Sequence, residues 1–331
     1  MEPIIDFFNA HFLGKEAWVW FVFIGIVVTL LAFDLGVLHK DDHEIDVKES
    51  LLLSAGYISV ALIFGGWVTW YFGAQSGMEY FTGFLIEKSL SMDNVFVIAL
   101  IFTYFAIPRL YQHRVLFWGI LGVIVLRALM IGLGAALVTQ MSWVLYLFGA
   151  FLVLTGIKML MIANHMPDIG NNPLLKFLRK RMSVTEKIEG NAFFVYKPDP
   201  ATGKTIRWAT PLFLALCLIE FVDLVFAVDS VPAIFAITTD PFIVYTSNIF
   251  ATLGLRALYF ALAAMIHRFT YLKYALALVL VFIGTKIFLV GIIGKIPPVI
   301  SLTVTFGLIL GGVLFSLYKT RGQELPAKAT P

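Results

Sequence analysis

The sequence predicts an all-α polytopic membrane protein of about nine transmembrane helices, six of which form a 3+3 inverted repeat. Three observations predict it. Hydrophobic residues make up 60% of the 331-residue chain and charged residues 14%, at a mean hydropathy of +0.90, a balance that suits lipid around the helices. Apolar runs near twenty residues recur along the chain, each able to cross a hydrocarbon core of ~30 Å at ~1.5 Å per residue. A series of landmarks also occurs twice in the same order, which is how a structural repeat shows itself in sequence.

Windowed hydrophobicity places the spans at 17–38, 51–72, 78–107, 115–138, 143–163, 209–237, 243–265, 274–293 and 298–318. Of the 24 Lys and Arg, 17 fall in alternate connections, eight of them within 164–208, while Lys15 and Lys295 fall on the opposite side and five lie inside spans. The positive-inside rule then puts the N-terminus outside and the C-terminus in the cytoplasm. Residues 1–77 hold an N-terminal interfacial segment, read as a short helix over 1–16, and two spans. Residues 78–163 are repeat one, 164–208 a cytoplasmic linker, 209–293 repeat two in inverted orientation, and 294–331 the last span and a cytoplasmic tail. In the linker, Pro173 opens a basic helix with Leu174, Leu175, Leu178 and Met182 on one side, suited to the inner leaflet. Phe193–Lys197 and Lys204–Trp208 read as the arms of a hairpin.

Composition excludes several classes. One cysteine, Cys217, rules out an intrachain disulfide framework or a paired-cysteine zinc motif. A formal charge of +3 gives no reason to expect nucleic acid. The acidic opening, with Glu2 and Asp6, lacks the basic start of a signal peptide, so the first span is expected to stay in the mature protein. The 38–49 loop, with its His and Asp residues, reads as an ordinary solvated loop.

The repeat centres on acids. Glu87-Lys-Ser-Leu-Ser-Met-Asp93-Asn94-Val95 aligns without gaps on Asp223-Leu-Val-Phe-Ala-Val-Asp229-Ser230-Val231, with Glu220 one turn earlier. Leu126-Arg127 recurs as Leu255-Arg256, and Tyr146 with Gly156 and Lys158 recurs as Tyr274 with Gly284 and Lys286. Because span three runs inward and span six outward, the copies are upside down relative to one another, an architecture in which the site lies at the repeat interface. A carboxylate at membrane depth costs ~2.5–3.5 kcal/mol on insertion scales and is a functional-site hypothesis by default.

Pro232 cannot donate to the Val228 carbonyl, and Ser91, Asp93 and Asn94 compete for local backbone groups, so both acidic spans are expected to unwind locally. The lining offered is carboxylate, amide and hydroxyl oxygen, which suits a hard divalent cation such as Mg²⁺, Ca²⁺ or Mn²⁺. All six histidines fall in or beside loops, against an imidazole-rich site. The expected ligands are Glu87, Asp93, Asn94, Glu220, Asp223, Asp229 and Ser230, with Asp34 and Ser91 as accessories. Arg127, Arg256, Lys158 and Lys286 are the expected charge partners, the two lysines lying nearer the cytoplasmic surface and snorkelling.

Glu87–Val95 together with Phe226-Ala-Val-Asp-Ser-Val-Pro-Ala233 resembles the TerC/Alx family of bacterial membrane proteins, over roughly 30–320 and including Thr238–Phe242 and Gly254–Ala257. The resemblance implies a multi-span protein of the bacterial inner membrane, related to the LysE superfamily and linked to manganese export and tellurite resistance. Manganese comes from that likeness alone. The resulting expectation is a secondary transporter, not an enzyme, that exports Mn²⁺ in exchange for protons, with no cofactor and with the metal ion and the bilayer as partners. No nucleotide-binding GxxxxGK[ST] run occurs to drive it otherwise. The rival reading is a membrane scaffold or stress-response protein whose intramembrane charges are structural. An intramembrane hydrolase ranks lower, since no HExxH or GxSxG lies in the spans. Oligomeric state is left open.

Overall fold

The computed structural model describes residues 11–33, 47–141, 143–161, 169–198, 203–263, 271–293 and 296–321, and is nearly all helix. Strands β1 (His11–Phe12) and β2 (Lys15–Glu16) pair antiparallel and lead into α1 (Ala17–Phe33). The helix expected over 1–16 is thus replaced at residues 11–16 by a hairpin. Its turn sets Leu13 and Gly14 at φ 49° and 83°, values a right-handed helix does not contain. Residues 1–10, and with them the rest of that expectation, lie outside the described residues, as do Asp34 and most of the 38–49 loop.

Helices α2 (Val47–Phe72) and α3 (Ala74–Tyr104) are separated by Gly73 alone, at φ 92°, where only glycine turns the chain without strain. There follow α4 (Arg109–Gln140) and α5 (Val144–Met161), then the linker helix α6 (Pro173–Arg181) and a hairpin of β3 (Phe194–Pro198) with β4 (Thr205–Ala209). Helices α7 (Pro211–Phe235), α8 (Pro241–Ala263), α9 (Leu272–Ile293) and α10 (Pro298–Lys319) complete the chain. Several begin on proline, whose missing N–H costs nothing in a first turn. Asp240 caps α8, its Oδ1 accepting from the Phe242 N–H at 3.0 Å.

Six of these helices are long and apolar enough to cross a membrane, and Ala17–Phe33 and Pro241–Leu255 are shorter apolar helices. Around the outside stand Trp70, Leu52 and Ile63, exposed to 80%, 74% and 73%, a surface that lipid solvates and water does not. Inside, α3 packs on α8, α4 on α7 and α5 on α9, with α3 also touching α7. An aromatic cluster fastens α1 and α2 to α8: Phe23 and Phe64 lie 5.5 and 4.8 Å from Phe250, and Trp20 5.1 Å from Phe242. The α5–α9 contact is set by small residues. A Cβ on Gly156 would lie 2.7 Å from the Ala277 carbonyl oxygen and 3.1 Å from Val281 N. One on Gly284 would lie 2.6 Å from the Gly149 oxygen and 3.0 Å from Val153 N.

The expected unwinding does not occur. Both acidic helices are continuous, α3 over 31 residues and α7 over 25. Pro232 lies three residues from the end of α7, so its lost bond affects only the last turn, and Val231, Ala233, Ile234 and Phe235 are packed to at most 3% exposure around it. In α3 the Ser89 hydroxyl donates to the Leu85 carbonyl one turn back at 2.7 Å, which leaves the helix intact.

The expected hairpin is present, pairing Phe194 with Ala209 and Pro198 with Thr205. The basic helix is also present, but its apolar side is not offered to lipid. Leu175 is buried, and Leu174 and Leu178 pack beside it against Val115, Leu212 and Leu214. The bundle itself presents apolar surface at the start of α7, and a nine-residue helix has only one apolar face to cover it.

Candidate functional site

Four helices each contribute to one buried polar network. Arg127 of α4, 1% exposed, directs Nε and Nη2 at the two carboxylate oxygens of Asp223 on α7, at 3.2 and 2.9 Å. This two-pronged geometry is the strongest a guanidinium makes with a carboxylate. Its Nη1 donates to Glu87 of α3 and, at 2.8 Å, to Asn248 Oδ1 of α8. The Asn248 amide closes the ring by donating to Glu87 Oε2 at 3.0 Å, and Asn94 donates to Asp223 Oδ1 at 3.4 Å. The α3–α8 and α4–α7 packings are what bring these side chains together.

Among the described residues the network holds two carboxylates and one guanidinium. A third carboxylate, Glu220, stands one turn before Asp223 and is not part of it. It rests against Gly119 and Gly122 of α4, and a Cβ on Gly122 would collide with its carboxyl group. Glu220 Oε2, Asn94 Oδ1, Ser91 Oγ and Ser230 Oγ are buried without a hydrogen-bond partner. Most buried polar atoms are satisfied, and these four oxygens have no partner among the described residues.

A cavity of about 30 Å³ adjoins the network between α3, α4, α7 and α8, lined by Asn94, Asp223, Thr252 and Tyr259 with Ile98, Leu116 and Ile219. Room for one water takes ~10–15 Å³ on this measure. Toward the linker end it meets Tyr259, whose hydroxyl donates to Gln112 at 3.1 Å. At the opposite end of the bundle is a larger cavity of about 670 Å³, lined by the β1–β2 turn, Gln75, Glu79, Phe235, Thr238, Asp240 and Lys286. Lys15 pairs with Asp240 at 2.8 Å on its rim.

Of the residues singled out in the sequence, Glu87, Asn94, Arg127 and Asp223 converge, Glu220 stands one turn away, and Ser91 and Ser230 are buried close by. Asp93 and Asp229 lie on the same two helices, but their side chains and that of Arg256 lie outside the described residues. Among the described residues no three His, Cys, Asp or Glu side chains converge as a metal cluster. Lys158 is exposed. Lys286 departs from expectation: it is 8% exposed and lines the larger cavity with Asp240 and Pro297, away from the linker end, so it does not snorkel there. Asn248 was missed. The run Thr246-Ser247-Asn248, three polar residues inside an apolar span, was the signal that could have found it.

A family profile described as "Integral membrane protein TerC family" matches residues 72–324. The chain belongs to the TerC family. An uncharacterized membrane protein of Rickettsia bellii is 50% identical to it over 300 residues, covering 91% of this chain and 97% of its own. An uncharacterized membrane protein of Myxococcus xanthus is 47% identical over 303 residues, 92% of this chain and 93% of its own. Alx of Escherichia coli K12, named as a candidate membrane-bound redox modulator, is 44% identical over 301 residues, 88% of this chain and 92% of its own. No solved structure matches the chain. The TerC assignment makes this an integral membrane protein and agrees with the resemblance drawn from its acidic motifs.

Proposed function

We propose that this TerC protein is a secondary transporter that exports Mn²⁺ from the bacterial cytoplasm across the inner membrane in exchange for protons. It has nine spans, with its N-terminus outside and its C-terminus inside. The observation that carries the reading is the set of buried carboxylates with unmet oxygens: Glu87 and Asp223 share Arg127, while Glu220, Asn94 Oδ1, Ser91 and Ser230 have no partner to match among the described residues. Intramembrane carboxylates beside unmet oxygens fit a path for a cation. Oxygen donors of this kind suit a hard divalent ion.

The 3+3 inverted repeat is supported by reciprocal packing. If α3, α4 and α5 correspond to α7, α8 and α9, the α3–α8 contact is the image of α4–α7, and α5–α9 is its own image. The glycine contacts follow the same rule. Gly156 meets Ala277 and Val281, and its counterpart Gly284 meets Gly149 and Val153, each 128 positions earlier than those two partners. In this scheme Arg127 fixes Glu87 and Asp223 as a rigid frame. The ion is taken by Glu220 and the unmet oxygens together with Asp93 and Asp229, entering from the linker end past Tyr259. Rocking of one repeat against the other opens the site to the larger cavity, and protons arriving there displace the ion from the carboxylates.

Mn²⁺ uptake into everted membrane vesicles tests this. Asp93→Asn and Asp229→Asn are expected to abolish uptake while the protein remains in the membrane, and wild-type uptake by both variants defeats the proposal. The scaffold reading draws on the bidentate Arg127–Asp223 pair and on the redox name carried by Alx. Under it the two Asn variants behave as wild type and removal of residues 164–208 destroys function.

A further inference from the structure

The larger cavity contains a feature the transport scheme does not use. Lys286 reaches it from α9 at 8% exposure, and among the described residues no carboxylate lies within ion-pair distance. The acid whose field it feels is Glu79, across on α3, and Glu79 already accepts a hydrogen bond from the Gln75 amide at 3.1 Å. The other carboxylate there, Asp240, is occupied at both oxygens, by Lys15 and by the first turn of α8. Asp240 is therefore paired with Lys15, whereas Glu79 and Lys286 have no opposite charge within ion-pair distance among the described residues, and Lys286 is the more buried of the two. A charge in a low-dielectric wall projects its field into an aqueous recess far more strongly than one on a wet rim.

We infer that Lys286 is a charge filter for this cavity: its ammonium repels divalent cations, so that the site holds a cation less tightly when it opens to this cavity than when it opens to the other side. The inference deepens the transport reading and rests on its orientation, which puts this cavity on the outer face. It adds an asymmetry of affinity to that reading, with cations held less tightly on the side of this cavity, while the gradients set the direction of net movement. Lys158, the counterpart of Lys286 in the first repeat, is exposed at the other end and imposes no such barrier there.

The test reads the field directly. With Cys217→Ser removing the one native cysteine, Thr239→Cys places a thiol on the exposed part of the cavity lining. Whole cells are treated with a cationic and an anionic methanethiosulfonate, and the ratio of the two reaction rates is taken. Adding Lys286→Gln is expected to raise the cationic-to-anionic ratio on the order of ten-fold, and Lys286→Arg to leave it near the wild-type value. An unchanged ratio in Lys286→Gln overturns the inference, as does an equal change in Lys286→Arg. In right-side-out vesicles, external Mn²⁺ is expected to enter several-fold faster through Lys286→Gln than through the wild type, and equal entry counts against the filter. A wild type that carries no Mn²⁺ in either direction defeats the transport reading, while the labelling ratio still decides the question of Lys286.

Discussion

Asp223 and Glu220 sit one turn apart on the same helix, yet their surroundings differ in kind. Asp223 meets the Arg127 fork and the Asn94 amide. Glu220 meets two glycines and keeps one oxygen without a partner. On the neighbouring helix, Arg127 stands opposite the first acid and Gly122 opposite the second. A carboxylate with a fixed counter-charge serves as structure, and one set in a notch without a cation is available for exchange. The described intramembrane acids, Glu87, Glu220 and Asp223, divide by partner and not by residue type.

Changes on the Arg127 side should be the most costly. Arg127→Met strands two buried carboxylates, and loss of one partner from such a set costs ~3–5 kcal/mol, so a marked fall in thermal stability in detergent is expected. If Arg127→Met melts like the wild type, the distinction between the two acids collapses. Asn248→Ala removes a donor to Glu87 and an acceptor from Arg127, and should cost ~1–3 kcal/mol by the same measurement.

Gly122→Ala pushes on the Glu220 carboxyl group and should cost ~1–3 kcal/mol as an overpacked contact, with Mn²⁺ uptake reduced along with stability. Glu220→Gln keeps the shape and removes the charge. Its melting temperature should stay within the range of a neutral substitution, about ±0.5 kcal/mol, while Mn²⁺ uptake into everted vesicles falls at least ten-fold. A variant that loses stability and keeps uptake would reverse the roles assigned to the two acids. The smallest effect is expected at Cys217, half-buried one turn before Glu220: Cys217→Ser should leave both stability and uptake unchanged, whereas loss of function would favour a redox role.

Much of this was legible in the chain. The hairpin arms, the basic helix and the acidic helices follow from hydropathy, proline and charge, all of which are local. Pro232 and the Ser91–Asn94 polar run, taken by themselves, predict unwinding of the acidic helices, but Pro232 falls in a final turn clamped by packed neighbours. The basic helix was sent to the lipid because its apolar stripe is compatible with either partner, and only the packing of Leu175 on Leu212 and Val115 decides between them. Lys286 stands in the second half of a span that starts on the linker side, so its position in that span already points away from the linker, where the structure finds it.

The chain by itself determined that this is a membrane protein of the TerC type, that acids recur in two matched helices, and that an arginine follows each of them. These conclusions need only composition, spacing and order. The tertiary structure decided which acids are neutralised. The partners of Arg127 lie 96 residues further along the chain at Asp223 and 40 residues back at Glu87, and Asn248 is 161 residues from Glu87. At such separations one-dimensional spacing carries no distance information, and a hydrogen-bonded ion pair needs contact within ~3 Å, so helix packing alone settles which charges meet.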